Sequence, residues 1–217
     1  MSSSTAFCIE AVVDDGERPA LAATVEQLTE CLHAASGSRP EIRLEFANSL
    51  DAIDAHAPTT IIIASLLLEV GREEPIALVE ARWRKQLVAL TSSPAFLCTV
   101  FRHVPRDGAG RPANPPATIE RIRHLNLLAA ELSHDSGAAV IDLDRAFAHL
   151  GARVLDTDYR LRGAVAAEVA AHTIVGSLLA VGLDDVVAPE VQQRAAQFQG
   201  APWQIGDLLA RRKVQRR

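Results

Sequence analysis

Aromatic residues are scarce in this chain: 217 residues include six Phe, two Trp and one Tyr. Rings therefore cannot supply most of the core, and Ala, Leu, Val and Ile must fill it within a hydrophobic content of 48%. Alanine combines the highest helix propensity with the smallest side chain, which suits helices laid closely on a sheet. Cysteine is almost as sparse. Cys8, Cys31 and Cys98 form no C-x-x-C pair, and an odd count excludes a closed disulfide framework and fits a reducing compartment. Cys8 and Cys98 lie in apolar runs, where a free thiol acts as a small hydrophobe. No uncharged apolar run reaches the ~18 residues a spanning helix needs. Residues 1–13, MSSSTAFCIEAVV, lack a basic start, and Glu10 interrupts their apolar run, so they make a poor signal peptide. A soluble, cytoplasmic chain without a transmembrane segment is expected. His33, His124, His134, His149 and His172 show no metal-ligand spacing to a second His or Cys, so neither metal nor cofactor is expected.

A basic surplus is missing too. The formal charge of −5 excludes wholesale nucleic-acid binding, which needs a net basic face. Positive charge gathers instead at the end, in Arg211, Arg212, Lys213, Arg216 and Arg217. The simpler expectation is a solvated, frayed tail, and the alternative is an electrostatic contact with an acidic partner.

What is present is alternation. Strand-like runs at 6–13, 42–47, 59–68, 96–101 and 138–143 alternate with helical segments. Leu21, Val25, Leu28 and Leu32 form one helical stripe, opened by Pro19 and ended by Gly37. A short helix is expected over 50–56, with Ser49 as its cap, and another over 78–90, carrying Trp83 and Leu87. Ile122, Leu125, Leu128, Ala129 and Leu132 mark the next helix, and 164–183 closes the domain. Residues 184–217 read as an appendage with one polar helix, a possible anchor at Trp203 and the basic tail, leaving 1–183 as the α/β domain. The pattern predicts a three-layer fold: a five-stranded parallel sheet of flavodoxin-like order 2-1-3-4-5, with helices on both faces. Ligands of such sheets sit outside the carboxyl ends of the strands. That rule nominates Asp14 and Asp15 after the first strand, Asn48 and Ser49 after the second, Ser65 late in the third, His103 after the fourth and the 156–159 loop after the fifth. A pocket bordered by Asp14, Asn48, Ser65 and the Pro/Gly-rich 102–116 loop is expected.

The last loop reads Asp156-Thr157-Asp158-Tyr159-Arg160-Leu161-Arg162-Gly163 before the closing helix. This block resembles the SGNH (GDSL-type) hydrolases and acyltransferases, whose final motif is Asp-x-x-His-Leu with a glycine soon after. The resemblance spans the layout of 6–183 and is specific in the C-terminal third. It implies a nucleophilic serine after the first strand, a base in the last block, and oxyanion donors after strands two and three. Here Asp15 stands at the serine's place and Tyr159 at the histidine's. Ala47-Asn48 offers no oxyanion glycine, and Ala64-Ser65-Leu66-Leu67 offers no asparagine.

A serine needs a neighbouring base to become nucleophilic, and Tyr, with a pKa of about 10, is a poor base at neutral pH. The sequence is therefore read as an SGNH-like protein without the usual Ser and His. Its expected role is binding or accessory, with the resemblance implying a carbohydrate or acyl ligand, or a protein partner, in a polysaccharide- or acyl-modifying pathway. Two alternatives stay open. One is an active esterase or acyltransferase with a rearranged site at Ser65 and His103, near Asp156. The other is a receiver-like regulatory domain, since Asp14-Asp15 resembles that acidic pair; it lacks the phospho-accepting Asp after strand three and leaves 156–163 unexplained. Each nominated residue also has a plainer role: a turn at Asp14-Asp15, a brace at Asp156, a buried hydroxyl at Ser65, a solvated ring at His103.

Overall fold

A computed structural model describes residues 5–54, 59–90, 92–106, 108 and 111–199, apart from the side chains of Arg153 and Val154. In chain order the elements are β1 (Ala6–Val12), α1 (Arg18–Ser36), β2 (Glu41–Phe46), β3 (Thr60–Ser65), α2 (Ile76–Ala89), β4 (Ala95–Cys98), α3 (Pro115–Ser136), β5 (Ala139–Ile141), α4 (Leu143–Leu150), α5 (Ala152–Leu155), α6 (Ala164–Val181) and α7 (Pro189–Gln199). The strands pair in parallel in the order β2-β1-β3-β4-β5. This is the architecture expected from the alternation of runs.

The strands are apolar throughout because helices cover both sides of the sheet. Ile9, Ala11, Ile61 and Ile63 pack with α1, α4 and α6, while Val12, Ile62, Ala64 and Leu97 pack with α2 and α3 through Val79, Trp83, Leu87 and Leu125. All six β3 residues are buried, whereas β2, at the sheet's edge, has none that is fully buried. Full burial of one such Ile or Leu side chain is worth about 1.5–3 kcal/mol. Gly182 sets the approach of the α6 end to the sheet: a Cβ there would lie 2.5 Å from Phe96 Cζ.

Several boundaries differ from the sequence reading. β3 ends at Ser65, and residues 66–69 form a tight turn, because Ser65 Oγ accepts the Leu67 N–H at 3.2 Å. Leu66 and Leu67 stay buried in that turn, so hydrophobicity could not reveal it. β4 ends at Cys98; beyond it the Asn126 amide takes the ladder's place, accepting the Val100 N–H and donating to the Val100 carbonyl, both at 2.8 Å. The short helix expected over 50–56 is one turn, Leu50–Ala52, and Ser49 makes no side-chain cap bond to it. α3 starts at Pro115, with Asn114 Oδ1 accepting the Ala117 N–H at 3.2 Å, which shortens the long loop. α1 ends as expected at Gly37, which takes φ 74°.

Residues 184–199, set apart in the sequence reading, dock on the body. Ala195 is fully buried, Arg194 Nε donates to the Ala35 carbonyl at 3.0 Å, and Gln199 Nε2 donates to the His172 carbonyl at 2.6 Å. The helix is mostly polar, and it buries Gln192 and Ala195, with Val191 partly buried beside them. Trp203 and the basic tail lie outside the described residues. By length and composition α6 could cross a membrane, with mean hydropathy 1.7, although Glu168 and His172 lie within it. In this fold its Val169, Ile174, Val175 and Leu178 are spent on the core.

Candidate functional site

The loops at the carboxyl ends of the strands meet. A Cβ on Gly16 would lie 3.1 Å from the Arg160 carbonyl oxygen, so the turn after β1 lies directly against the 158–161 loop. The Tyr159 N–H donates to the His103 carbonyl at 2.8 Å, joining that loop to the segment after β4. Leu161 is held at φ 54°, a left-handed conformation unfavourable for a bulky side chain, while its side chain is 3% exposed. Burial of Leu161, its N–H bond to the Asp158 carbonyl at 2.9 Å and the Asp158–Arg160 ion pair hold the loop in that shape.

The nominated residues come out as follows. Asp14 Oδ1 accepts the Gly16 N–H at 2.9 Å, an Asx-type turn. Asp15 projects outward, its side chain 87% exposed and ion-paired with Arg18 at 2.9 Å. Asn48 is exposed and Ser49 half-buried beyond β2. Asp156 is exposed and closes α5 at φ 48°. Tyr159 is half-buried against the core, with the Arg160 guanidinium 5.2 Å from its ring centre. His103 is exposed and stacks on Phe101 at 5.8 Å between centroids. Ser65 is fully buried, and its hydroxyl donates to Glu17 Oε1 at 2.7 Å. Among the described residues no hydrogen bond joins Ser65 to His103.

Glu17 is the residue the sequence reading passed over. Its carboxylate accepts from Ser65 and, through Oε2, from the Asp14 N–H at 3.0 Å, and the residue is 4% exposed. Burial pushes its pKa up to about 7, against the opposing pull of the Ser65 and Asp14 hydrogen bonds. A signal was available: Asp14-x-x-Glu17 has the spacing of a capping box, in which the later carboxylate reaches back to the earlier N–H.

The 102–116 segment borders a groove, as expected. A groove of about 1090 Å³ opens between residues 101–106, Arg111, the first turns of α3 and Asp144 and Ala148 of α4. Asp14, Asn48 and Ser65 do not line it, because the first two spend themselves on turn and solvent and Ser65 is sealed beneath Glu17. Its walls carry Arg102, His103, Arg106, Arg111 and Arg123 beside Val104, Pro105, Pro115, Pro116 and Ile119. Among the described residues its one carboxylate, Asp144, is 6% exposed; it accepts the Arg102 N–H at 2.9 Å and forms an ion pair with Arg102 Nε at 2.5 Å. Elsewhere, Cys8, Glu10 and Glu45 bring three ligand-type atoms within 4.8 Å of one another on β1 and β2, a grouping their sequence spacing does not announce. Burial and the charge of Glu45 raise the pKa of both Cys8 and Glu10, with Asp54 adding to Glu10.

No family model and no curated protein matches the chain. Among solved structures, it is similar to the crystal structure of a protein assigned as a GDSL-like lipase from Parabacteroides merdae, at 15% identity and a TM-score of 0.55, over 80% of this chain and 94% of that one. At that identity the likeness concerns fold and not chemistry. The chain shares the three-layer α/β fold of that structure.

Proposed function

We propose that this chain is a binding or accessory protein on a GDSL-like scaffold, without that family's serine hydrolysis. The observation that carries the reading is the state of Asp15 and Tyr159. Asp15 stands at the nucleophile's place with a solvated carboxylate tied to Arg18. Tyr159 stands at the base's place, packed on the core with Arg160 beside its ring. A carboxylate has no proton for a base to remove, and a packed phenol is no base at neutral pH. The rearranged pair gains no support from the geometry, since the Ser65 hydroxyl is buried on Glu17 and His103 stacks on Phe101. An acyl or carbohydrate ligand of a modifying pathway fits the scaffold, and the groove beside the 101–106 segment is the place for it.

The test is hydrolysis of a short activated acyl ester by the purified chain, between about pH 6 and pH 9. The expected rate equals that of heat-inactivated protein. Asp15→Ser with Tyr159→His should raise it, and each single change should do much less, because nucleophile and base act as a unit. Robust wild-type turnover that disappears in His103→Ala would overturn the proposal in favour of the rearranged site.

A further inference from the structure

We infer that the groove beside β4 binds an anionic amphiphile: a carboxylate or phosphate seated among Arg106, Arg111 and Arg123, with its apolar body along Val104, Pro115 and Ile119. The inference rests on the reading of the chain as a binding protein and names the ligand class. Charge carries the first half. In a chain of formal charge −5, four arginines and His103 line this groove among the described residues, and the one carboxylate described there, Asp144, is already taken by Arg102. Among the described residues, Arg106, Arg111 and Arg123 have no carboxylate partner. Other arginines do: Arg18 has Asp15, Arg39 has Glu30, Arg82 has Glu69 and Glu74, and Arg84 has Glu80 and Asp135. Cations gathered on a concave, partly apolar wall repel one another and focus a positive field into the space between them. An anion bound there relieves the repulsion and receives forked guanidinium hydrogen bonds.

The shape and lining carry the second half. A volume of about 1090 Å³ far exceeds what a lone phosphate or acetate fills, and suits a molecule of tens of atoms. The 22-residue α3 points its N-terminal end at the groove, adding a partial positive charge. Its first two residues are Pro115 and Pro116, which have no N–H to donate. The helix end therefore offers rings rather than hydrogen bonds, and the polar anchoring falls to the guanidinium groups. Apolar wall and cationic rim together match an anionic head on an apolar chain.

The experiment is titration calorimetry of the full chain with dodecyl phosphate and with laurate, below their micelle concentrations. Dodecyl maltoside and inorganic phosphate serve as the neutral and chainless probes. The expected result is binding of both anionic amphiphiles at least tenfold tighter than of either control, weakened by salt. Arg111→Ala with Arg123→Ala should cut that affinity at least tenfold while leaving the melting temperature in place. Dodecyl phosphate alone binding would narrow the head group to phosphate, and laurate alone to carboxylate, both within the inference. Equal binding of dodecyl maltoside, or unchanged affinity in the double variant, would overturn it. Binding to anionic phospholipid vesicles without binding of either free amphiphile would also overturn it, in favour of a membrane surface. The ester assay run on the same samples separates the two claims: hydrolysis by wild type removes the non-hydrolytic reading and leaves the groove, whereas an inert chain that binds no amphiphile removes the groove alone.

Discussion

Glu17 illustrates how one buried carboxyl sets a pH dependence. Its ordinary pKa is near 4.5, and burial raises it to about 7 in the folded chain. Below about pH 4.5 both folded and unfolded states hold the proton, and the residue costs nothing. Between that pH and about 7 the unfolded state loses its proton first, so stability falls as pH rises. The full loss corresponds to about 3 kcal/mol, since each tenfold change in proton affinity is worth about 1.4 kcal/mol. Glu17→Gln mimics the protonated form, its amide donating to Ser65 and its carbonyl accepting from Asp14. The variant should be more stable than wild type by about 1–3 kcal/mol at about pH 8, with the gap closing towards pH 4.5, as read by urea unfolding. A gap independent of pH would remove Glu17 as the titrating group. His172 works in the opposite sense: burial lowers its pKa from 6.5, and its Nε2 has no partner, so its contribution is lost as pH falls below that value. Comparing variant and wild type at each pH cancels this second effect.

At the scale of elements, the turn after β3 is locked to two helices through Glu69. Its carboxylate accepts from Arg82 at 2.9 and 3.1 Å and from Trp83 Nε1 at 3.0 Å, and its backbone carbonyl accepts from Arg121 Nε at 2.6 Å. Burial alone would raise the Glu69 pKa; the hydrogen bonds from Arg82 and Trp83, with the charges of Arg82 and Arg72, more than offset this and lower it. Glu69→Ala strands a buried indole N–H and leaves Arg82 with Glu74 alone, and should cost about 1–3 kcal/mol by denaturant unfolding. Glu69→Gln, which keeps an acceptor for Trp83, should cost less. The junction of α6 with β4 makes a steric counterpart. Gly182→Ala drives a methyl into Phe96 and should cost about 1–3 kcal/mol. Phe96→Leu beside it should recover part of that loss, a coupling a double-mutant cycle reads directly.

At the scale of the molecule, α7 belongs to the body it covers. Val187 is 6% exposed and Ala195 fully buried, both within the core shared by β1, α1 and α6. A chain ended after Leu183 should lose several kcal/mol, and its melting temperature should fall by about 10 °C or more, at roughly 2–4 °C per kcal/mol for a domain of this size. An unchanged melting temperature in this truncation would show the segment from 184 to be the separable appendage its polarity suggests.

Much of the architecture was legible in the amino-acid order, because parallel sheets leave local signatures. The alternation of apolar runs predicted five parallel strands, and Pro19 and Gly37 bracketed α1. Periodicity reports which side of an element is apolar, and it is silent on what that side meets. The Ser65–Glu17 bond joins residues 48 apart, and the groove draws its walls from the segment after β4, α3 and α4. The turn at 66–69 looked like strand because burial requires the same leucines in either shape. α7 looked detached because its buried face, Gln192 and Ala195 with Val191 partly buried beside them, carries no apolar stripe. The sequence by itself determined the layers, since these depend on residue type and spacing. Only the tertiary structure decided the buried Glu17 contact, the walls of the groove and the seat of α7, since each arises from surfaces that meet only when the chain is folded.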